Sequence, residues 1–340
     1  MASPPAVASR FRESARRNQP IRDLGLRIEG TRLESLVAAF RAELVQVGLE
    51  RVQPRVYLST EWGVAMGSTA IAIPFYLVDV ELTAYHKERV GHLEGFSDAD
   101  ILRYLRHEMG HVVNYAYKLY QREDWTTRFG PISKPYLEDY HPRPFSRSYV
   151  RHLPGWYAQK HPDEDWAESF AVWMTPGIDW RTQYKAWPRA LEKLEYVGSL
   201  VEHIKAKEPE TLSDDLDEPV TNLPYSVEQY YEALTDNIEA VPADLDGLLG
   251  SVFPPPQAAE PSREAAALIL SLETALLDQV FIWTGHFPER TRALVRQMAS
   301  HAQSLSLRYA KDDEPAAIVG LTTLICALAM NHVVQGSYYE

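Results

Sequence analysis

The sequence predicts an α+β fold, a small sheet carried by helices and followed by a helical C-terminal part. Three observations lead there. Two stretches, Arg55 to Ser59 and Thr69 to Thr83, have strand composition, the second alternating through Ile71, Ile73, Phe75 and Leu77. Apolar residues recur at helical spacing on both sides of them, from Thr31 to Val47 and from Ser97 to about Tyr120. After residue 205 the organisation changes to a polar, acidic stretch followed by three apolar helical stripes.

In chain order, Met1 to Arg10 lacks the apolar run of a signal peptide, and Arg10 to Arg22 is locally basic, so residues 1–20 are expected to form a flexible arm. The helix from Thr31 buries Leu33, Leu36, Val37, Phe40 and Leu44 and should pack on the sheet. Pro74 cannot donate to a ladder, which places the second strand at an edge or a bulge. Such an edge could take up an extended peptide by main-chain hydrogen bonds, or it could be a capped edge with no ligand.

Ser97-Asp98-Ala99-Asp100 reads as a helix cap, and Ile101, Leu102, Leu105, Met109, Val112, Val113, Ala116 and Leu119 gather on one side of the helix that follows. Within the run His107-Glu108-Met109-Gly110-His111, the two histidines fall roughly on the opposite side. At about 100° per residue, positions four apart nearly overlie one another, so His107 and His111 can hold one metal ion with Glu108 beside it. This is the spacing a zinc hydrolase needs, with Glu108 as the base that takes a proton from water. The competing reading is a surface helix that happens to carry solvated histidines.

Arg122 to Pro154 carries five prolines, at 131, 135, 142, 144 and 154, and reads as a long ordered loop, either the wall of a cleft or a packed connection. His161 to Pro176 then reads as a short helix with Pro162 near its first position and acids in its first turn. Trp166, Phe170 and Trp173 mark its buried face. Glu164 and Glu168 lie one turn apart on another face, spaced as a metal ligand and a supporter of a ligating histidine, with either role open to either residue. Two glutamates complementing a helix dipole is the plainer alternative. His141, His152 and His161 are less favoured third ligands, and the three-histidine pattern fails because Asn114 and Tyr117 stand where its glycine and third histidine belong.

Further on, Lys205 to Pro219 is acidic, Tyr225 to Asn237 looks helical, and Val252 to Gln257 reads as a stiff proline linker. Helices are expected over Ser262 to Thr284, Pro288 to Leu307 and Pro315 to Val334. Pro315 to Met330 is free of charge but short for a bilayer and lacks a basic flank, so a buried helix is expected there.

Composition agrees with a soluble enzyme: 45% hydrophobic and 24% charged residues over 340 can bury a substantial core. A net charge of −13 argues against a general nucleic-acid or anionic-membrane binder. The single cysteine, Cys326, excludes an intrachain disulfide and leans toward the cytoplasm.

His107 to His111, followed by Tyr157-Ala-Gln-Lys-His161-Pro162-Asp-Glu164-Asp165-Trp166-Ala167-Glu168, resembles the bacterial zinc-binding metallopeptidases of the gluzincin type. Ile21 to Gly30 and Ile73 to Leu77 share that resemblance, which spans about residues 20 to 200. A more distant similarity is to the catalytic domain of anthrax lethal factor, in the spacing of Tyr157, Glu164 and Glu168. The resemblance implies a zincin-like domain with an edge strand beside the H-E-x-x-H helix, and one zinc ion held by His107, His111 and Glu164. It also implies that Glu108 acts as general base, that Tyr157 donates to the oxyanion, and that Glu168 orients a ligand. The expected divisions are a metallopeptidase domain over 21–205, a linker and connecting helix over 206–260, and a helical subdomain over 261–340. Expected partners are a peptide or protein substrate, without nucleic acid or membrane. A non-peptidase zinc hydrolase, or a binding or regulatory protein on the same scaffold, are the rival readings.

Overall fold

A computed structural model describes residues 4–137, 140–235, 245–255 and 261–338. The chain folds as two compact units, one of Met1–Glu88 with Leu93–Tyr231 and one of Arg89–His92 with Glu232–Glu340. The fold is rich in helix with a small sheet, an α+β arrangement in the general sense.

In the first unit, residues expected as a flexible arm form helix α1 (Pro4–Glu13), followed by a 3-10 turn over Ala15–Asn18. Burial explains the difference. Ala8 and Phe11 are buried, Phe11 packs 5.2 Å from the Tyr85 ring, and Arg16 pairs with Asp79 at 3.1 Å. Helix α2 (Arg32–Gln46) is capped by Thr31 and buries the five apolar residues its periodicity marks.

Strands β1 (Arg55–Ser59) and β2 (Ala70–Pro74) pair in parallel, with Val56 opposite Ile71 and Leu58 opposite Ile73. The second strand stops at Pro74 instead of continuing to Thr83. Beyond it lie a 3-10 turn over Phe75–Val78 and helix α3 (Val80–Val90). The Asp79 carboxylate accepts from the backbone N–H groups of Glu81 and Leu82, so a helix start follows where the apolar alternation suggested more strand. The outer side of β2 is partly taken: Ala72 donates its N–H to the Gly63 carbonyl at 2.8 Å in an antiparallel bridge.

Helix α4 (Asp98–Ala116) starts at the Ser97 cap and lies beside β2 and α2. It ends four residues earlier than the periodicity suggested, because Lys118 turns into the left-handed region at φ 47. The proline-rich stretch holds one short helix, α5 (Glu123–Phe129), nucleated by the buried side chains of Trp125 and Phe129. Helices α6 (Pro162–Met174), α7 (Trp180–Gln183) and α8 (Pro188–Ile204) follow, two of them with proline in the first turn. Gly198 lets α8 close on α6, since a Cβ there would lie 2.9 Å from the Trp173 indole nitrogen.

The acidic stretch after α8 is packed against this unit. Thr69 donates its N–H to the Ser213 carbonyl, the Tyr57 hydroxyl bonds to Asp217, and Leu216 covers Tyr57, Ala70 and Ala72. Helix α9 (Val227–Thr235) closes the described part; the expected continuation to Asn237 lies outside the described residues.

The second unit contains α10 (Asp246–Val252), β3 (Ser262–Glu264) antiparallel to β4 (Arg308–Ala310), α11 (Ala265–Ser271), α12 (Glu273–Thr284), α13 (Pro288–Ser304) and α14 (Glu314–Gln335). Its core joins Leu249, Phe253, Ile269, Leu294, Met298, Leu321 and Ile325. The helix expected over 262–284 is a short strand and two helices bent by 60°. At the bend the Ser271 hydroxyl bonds back to the Leu268 carbonyl, a competitor of the helical ladder. Phe253 of the expected linker is a core residue; Gln257 lies outside the described residues. Helix α14 is longer than the expected 16-residue apolar run and buries one face through Leu321, Ile325 and Ala329, while Val319 and Val334 are exposed. By length and composition it could cross a membrane, and one third of its most apolar window is buried within the protein.

Candidate metal centre

The centre is built where α4 meets α6. Gly110, between the two histidines, makes the approach possible: a Cβ at that position would stand 2.6 Å from the Ala167 Cα. Trp166 fixes the same crossing by donating its indole N–H to the Gly110 carbonyl at 2.7 Å. Two helices that touch at a glycine and an alanine bring their neighbouring side chains into direct contact.

Those neighbours are His107, His111 and Glu164, all buried. His107 Nε2 is 3.0 Å from Glu164 Oε2 and 3.3 Å from His111 Nε2, and His111 Nε2 is 3.3 Å from the same carboxylate oxygen. The group could hold a metal ion. Glu164 Oε2 is the oxygen that meets both imidazoles, so Glu164 belongs to the group that could hold an ion, and Glu168 lies behind His107.

Each imidazole has a carboxylate at its other nitrogen. Glu168 Oε1 lies 3.1 Å from His107 Nδ1. The Glu168 carboxylate also accepts from the backbone N–H of His152 at 2.8 Å and of Leu153 at 3.0 Å, so the loop before Tyr157 holds it in place. Asp163 Oδ2 stands 3.0 Å from His111 Nδ1. Asp163 is itself held by Asn114, through Oδ1 at 2.6 Å, and by the Tyr115 hydroxyl. Asn114 and Tyr115 sit three and four residues after His111, on its side of α4. Asp163 does not stand out in the sequence because three consecutive acids in a first turn already suit the helix dipole. The signal available was its place next to Glu164, with His111 and Asn114 on one helical face.

Protonation follows from this packing. Burial disfavours a charged His107, but Glu164 and Glu168 outweigh it and raise its pKa to about 9. His111 is raised well above its usual value in the same way, against burial, by Asp163 and Glu164. Burial would raise Glu164, yet the two histidines hold it well below the carboxylate range. Glu108 is buried on the same helix; loss of water pushes its pKa up to about 7, with His107 and His111 pulling the other way.

Tyr157 completes the set. Its ring stands edge-on to that of His107, with centroids 5.6 Å apart. Trp156 just before it adopts a left-handed backbone at φ 61, an arrangement that costs a non-glycine residue about 1–3 kcal/mol and aims the next side chain inward. Burial, then Glu164 and Tyr136, raise the Tyr157 pKa well above 10, so the phenol keeps its proton. Tyr136, from the loop after α5, reaches the same place. Its hydroxyl donates to Glu164 Oε1 at 2.7 Å and lies 3.2 Å from the Tyr157 hydroxyl. No periodicity marks Tyr136 in the sequence.

The other histidines have separate roles. His161 caps α6, accepting from the Asp163 N–H at Nδ1 and donating from Nε2 to the Lys134 carbonyl at 2.8 Å. His152 donates to the Arg103 carbonyl at 2.9 Å, and burial lowers its pKa to about 4. His141 is exposed. No family model matches the chain, and no curated protein or solved structure is significantly similar to it.

Proposed function

We propose that the chain is a zinc-dependent metallopeptidase on a zincin-like scaffold, with His107, His111 and Glu164 as the ligands. The observation that carries this reading is the spacing of the three donor atoms, 3.0, 3.3 and 3.3 Å. Bonds of about 2.05 Å around a tetrahedral centre require ligand atoms about 3.3 Å apart. The donors already stand at nearly that separation. Two imidazole nitrogens and one carboxylate oxygen also form the donor set of a catalytic zinc site, which leaves a fourth position for water or substrate.

Zinc in such a site supplies a Lewis acid and water that ionises near pH 7. The chain's own residues do the rest. Glu108, buried beside the two histidines on the same helix, accepts the proton of the attacking water and passes it to the leaving amine. Tyr157 keeps its proton and donates it in a hydrogen bond to the carbonyl oxygen as that oxygen gains charge, a contribution of about 2.7–4 kcal/mol where such donors have been removed. Glu168 and Asp163 hold the two imidazoles in orientation. A peptide or protein substrate is supported by the family resemblance and by the sheet beside α4. Since Ala72 is already paired with Gly63, an incoming strand has to pair elsewhere along the sheet or displace that contact.

The test is zinc content by plasma mass spectrometry of wild type, His111→Ala and Glu164→Ala, with a peptide library incubated in parallel. About one zinc per chain, lost in both variants, is expected. Glu108→Gln should keep its zinc and cleave about 10²–10⁴-fold more slowly. A wild type that cannot be loaded with zinc overturns the reading; one that loads but cleaves only esters or other amides identifies a non-peptidase hydrolase.

A further inference from the structure

We infer that Tyr136 is a positioning residue that fixes Glu164 as a one-oxygen ligand and holds the Tyr157 hydroxyl in reserve. This rests on the metal reading above.

The two oxygens of Glu164 face different partners. Oε2 meets both histidines, while Oε1 accepts from the Tyr136 hydroxyl at 2.7 Å. A carboxylate with a neighbour of this kind on one oxygen has only the other to offer an ion. Proton counting then sets the direction of the next bond. An ionised carboxylate can only accept, so the single Tyr136 proton goes to Glu164. The contact of 3.2 Å between the two phenols is therefore donated by Tyr157. In this state the proton that Tyr157 would offer to a substrate carbonyl points at Tyr136.

The residue that makes this arrangement sits where it can leave. Tyr136 is 47% exposed, on a stretch without regular structure, whereas the groups it touches are on or next to α6. Its strap is tied at Lys134 by His161, and its ring is flanked by the Lys160 ammonium at 4.4 Å, which also lies 5.4 Å from the Tyr157 ring. Substrate entry that draws Tyr136 aside releases Tyr157 toward the reacting carbonyl and frees the second oxygen of Glu164 in one movement.

The experiment uses the full chain loaded with Co2+ in place of zinc, because the visible absorption of Co2+ weakens and shifts as its coordination number rises. Wild type, Tyr136→Phe and Tyr157→Phe are compared for metal content and spectrum, with circular dichroism and thermal unfolding as controls. Tyr136→Phe should bind one Co2+ per chain with weaker, shifted bands, as Oε1 becomes available. Tyr157→Phe should match wild type, since the Tyr136 bond to Glu164 survives. A Tyr136→Phe spectrum that superimposes on wild type overturns the inference while leaving the metal centre intact. Failure of wild type itself to take up Co2+ overturns the metal reading and this inference together. Tyr136→Leu carries the same expectation should the phenylalanine variant not fold. A purely structural role for Tyr136 would move the unfolding temperature and leave the spectrum unchanged.

Discussion

Glu168 accepts from three groups at once: the His107 imidazole and the backbone N–H groups of His152 and Leu153. It therefore links the orientation of the His107 imidazole to the shape of the loop that leads to Tyr157. Removing it should act twice. Glu168→Ala is expected to weaken zinc binding about 10- to 100-fold, the usual effect of losing a partner of a ligating histidine. It should also lower stability by about 1–3 kcal/mol for each N–H left unpaired in a buried setting. Chelator competition measures the first and urea unfolding of the metal-free protein the second. Unchanged stability of the metal-free form would show that the loop does not depend on this carboxylate.

Among elements, the crossing of α4 and α6 matters most, and it turns on one residue. Alanine is ordinarily about 1 kcal/mol better than glycine inside a helix. At Gly110 the sign should reverse, since the added methyl would stand 2.6 Å from the Ala167 backbone and must push the helices apart. Gly110→Ala is expected to destabilise by about 1–3 kcal/mol, as overpacked sites do, and to abolish metal binding even though no ligand is changed. A variant as stable as wild type, or more so, would mean that the helices have room to spare. Much of this crossing is legible in the sequence. Helical periodicity puts His107 and His111 on one face, and the spacing of Glu164 and Glu168 supplies two partners. Asp163 is hidden by a second physical reason for its presence, the helix dipole, and Tyr136 by a loop that has no period to read. The apolar alternation from Thr69 to Thr83 outruns the strand for a related cause: Phe75 and Leu77 continue it because both are buried, not because they are strand. Asp79, as a helix cap, was the contrary signal.

At the scale of the whole molecule the second unit carries a buried histidine that should make it sensitive to acid. There, His286 is buried between the Thr291 hydroxyl at 2.7 Å and the Tyr338 hydroxyl at 2.8 Å. Burial, then the nearby His332 and Arg290, lower its pKa to about 3. The unfolded chain takes up that proton near pH 6.5 and the folded unit does not, so the stability this group contributes is full above pH 6.5 and is lost as pH falls toward 3. Between pH 6.5 and 5 the loss should be about 2 kcal/mol. Pulse proteolysis in urea at pH 7 and pH 5, reading peptides from residues 265–335, should show the midpoint falling further in wild type than in His286→Gln. Equal falls in both would sink the assignment.

The placement of the donor atoms has a consequence for the life of the protein in a cell. The chain has one cysteine and so no disulfide within itself, but an ion held by His111 and Glu164 would close the intervening stretch into a loop. That stretch includes the strap bearing Tyr136 and the left-handed turn at Trp156. Whatever binds only the folded form suppresses the unfolded population by mass action, and with it the rate at which proteases find an opening. Abundance would then track metal supply: under starvation the chain would be degraded rather than accumulate without its ion.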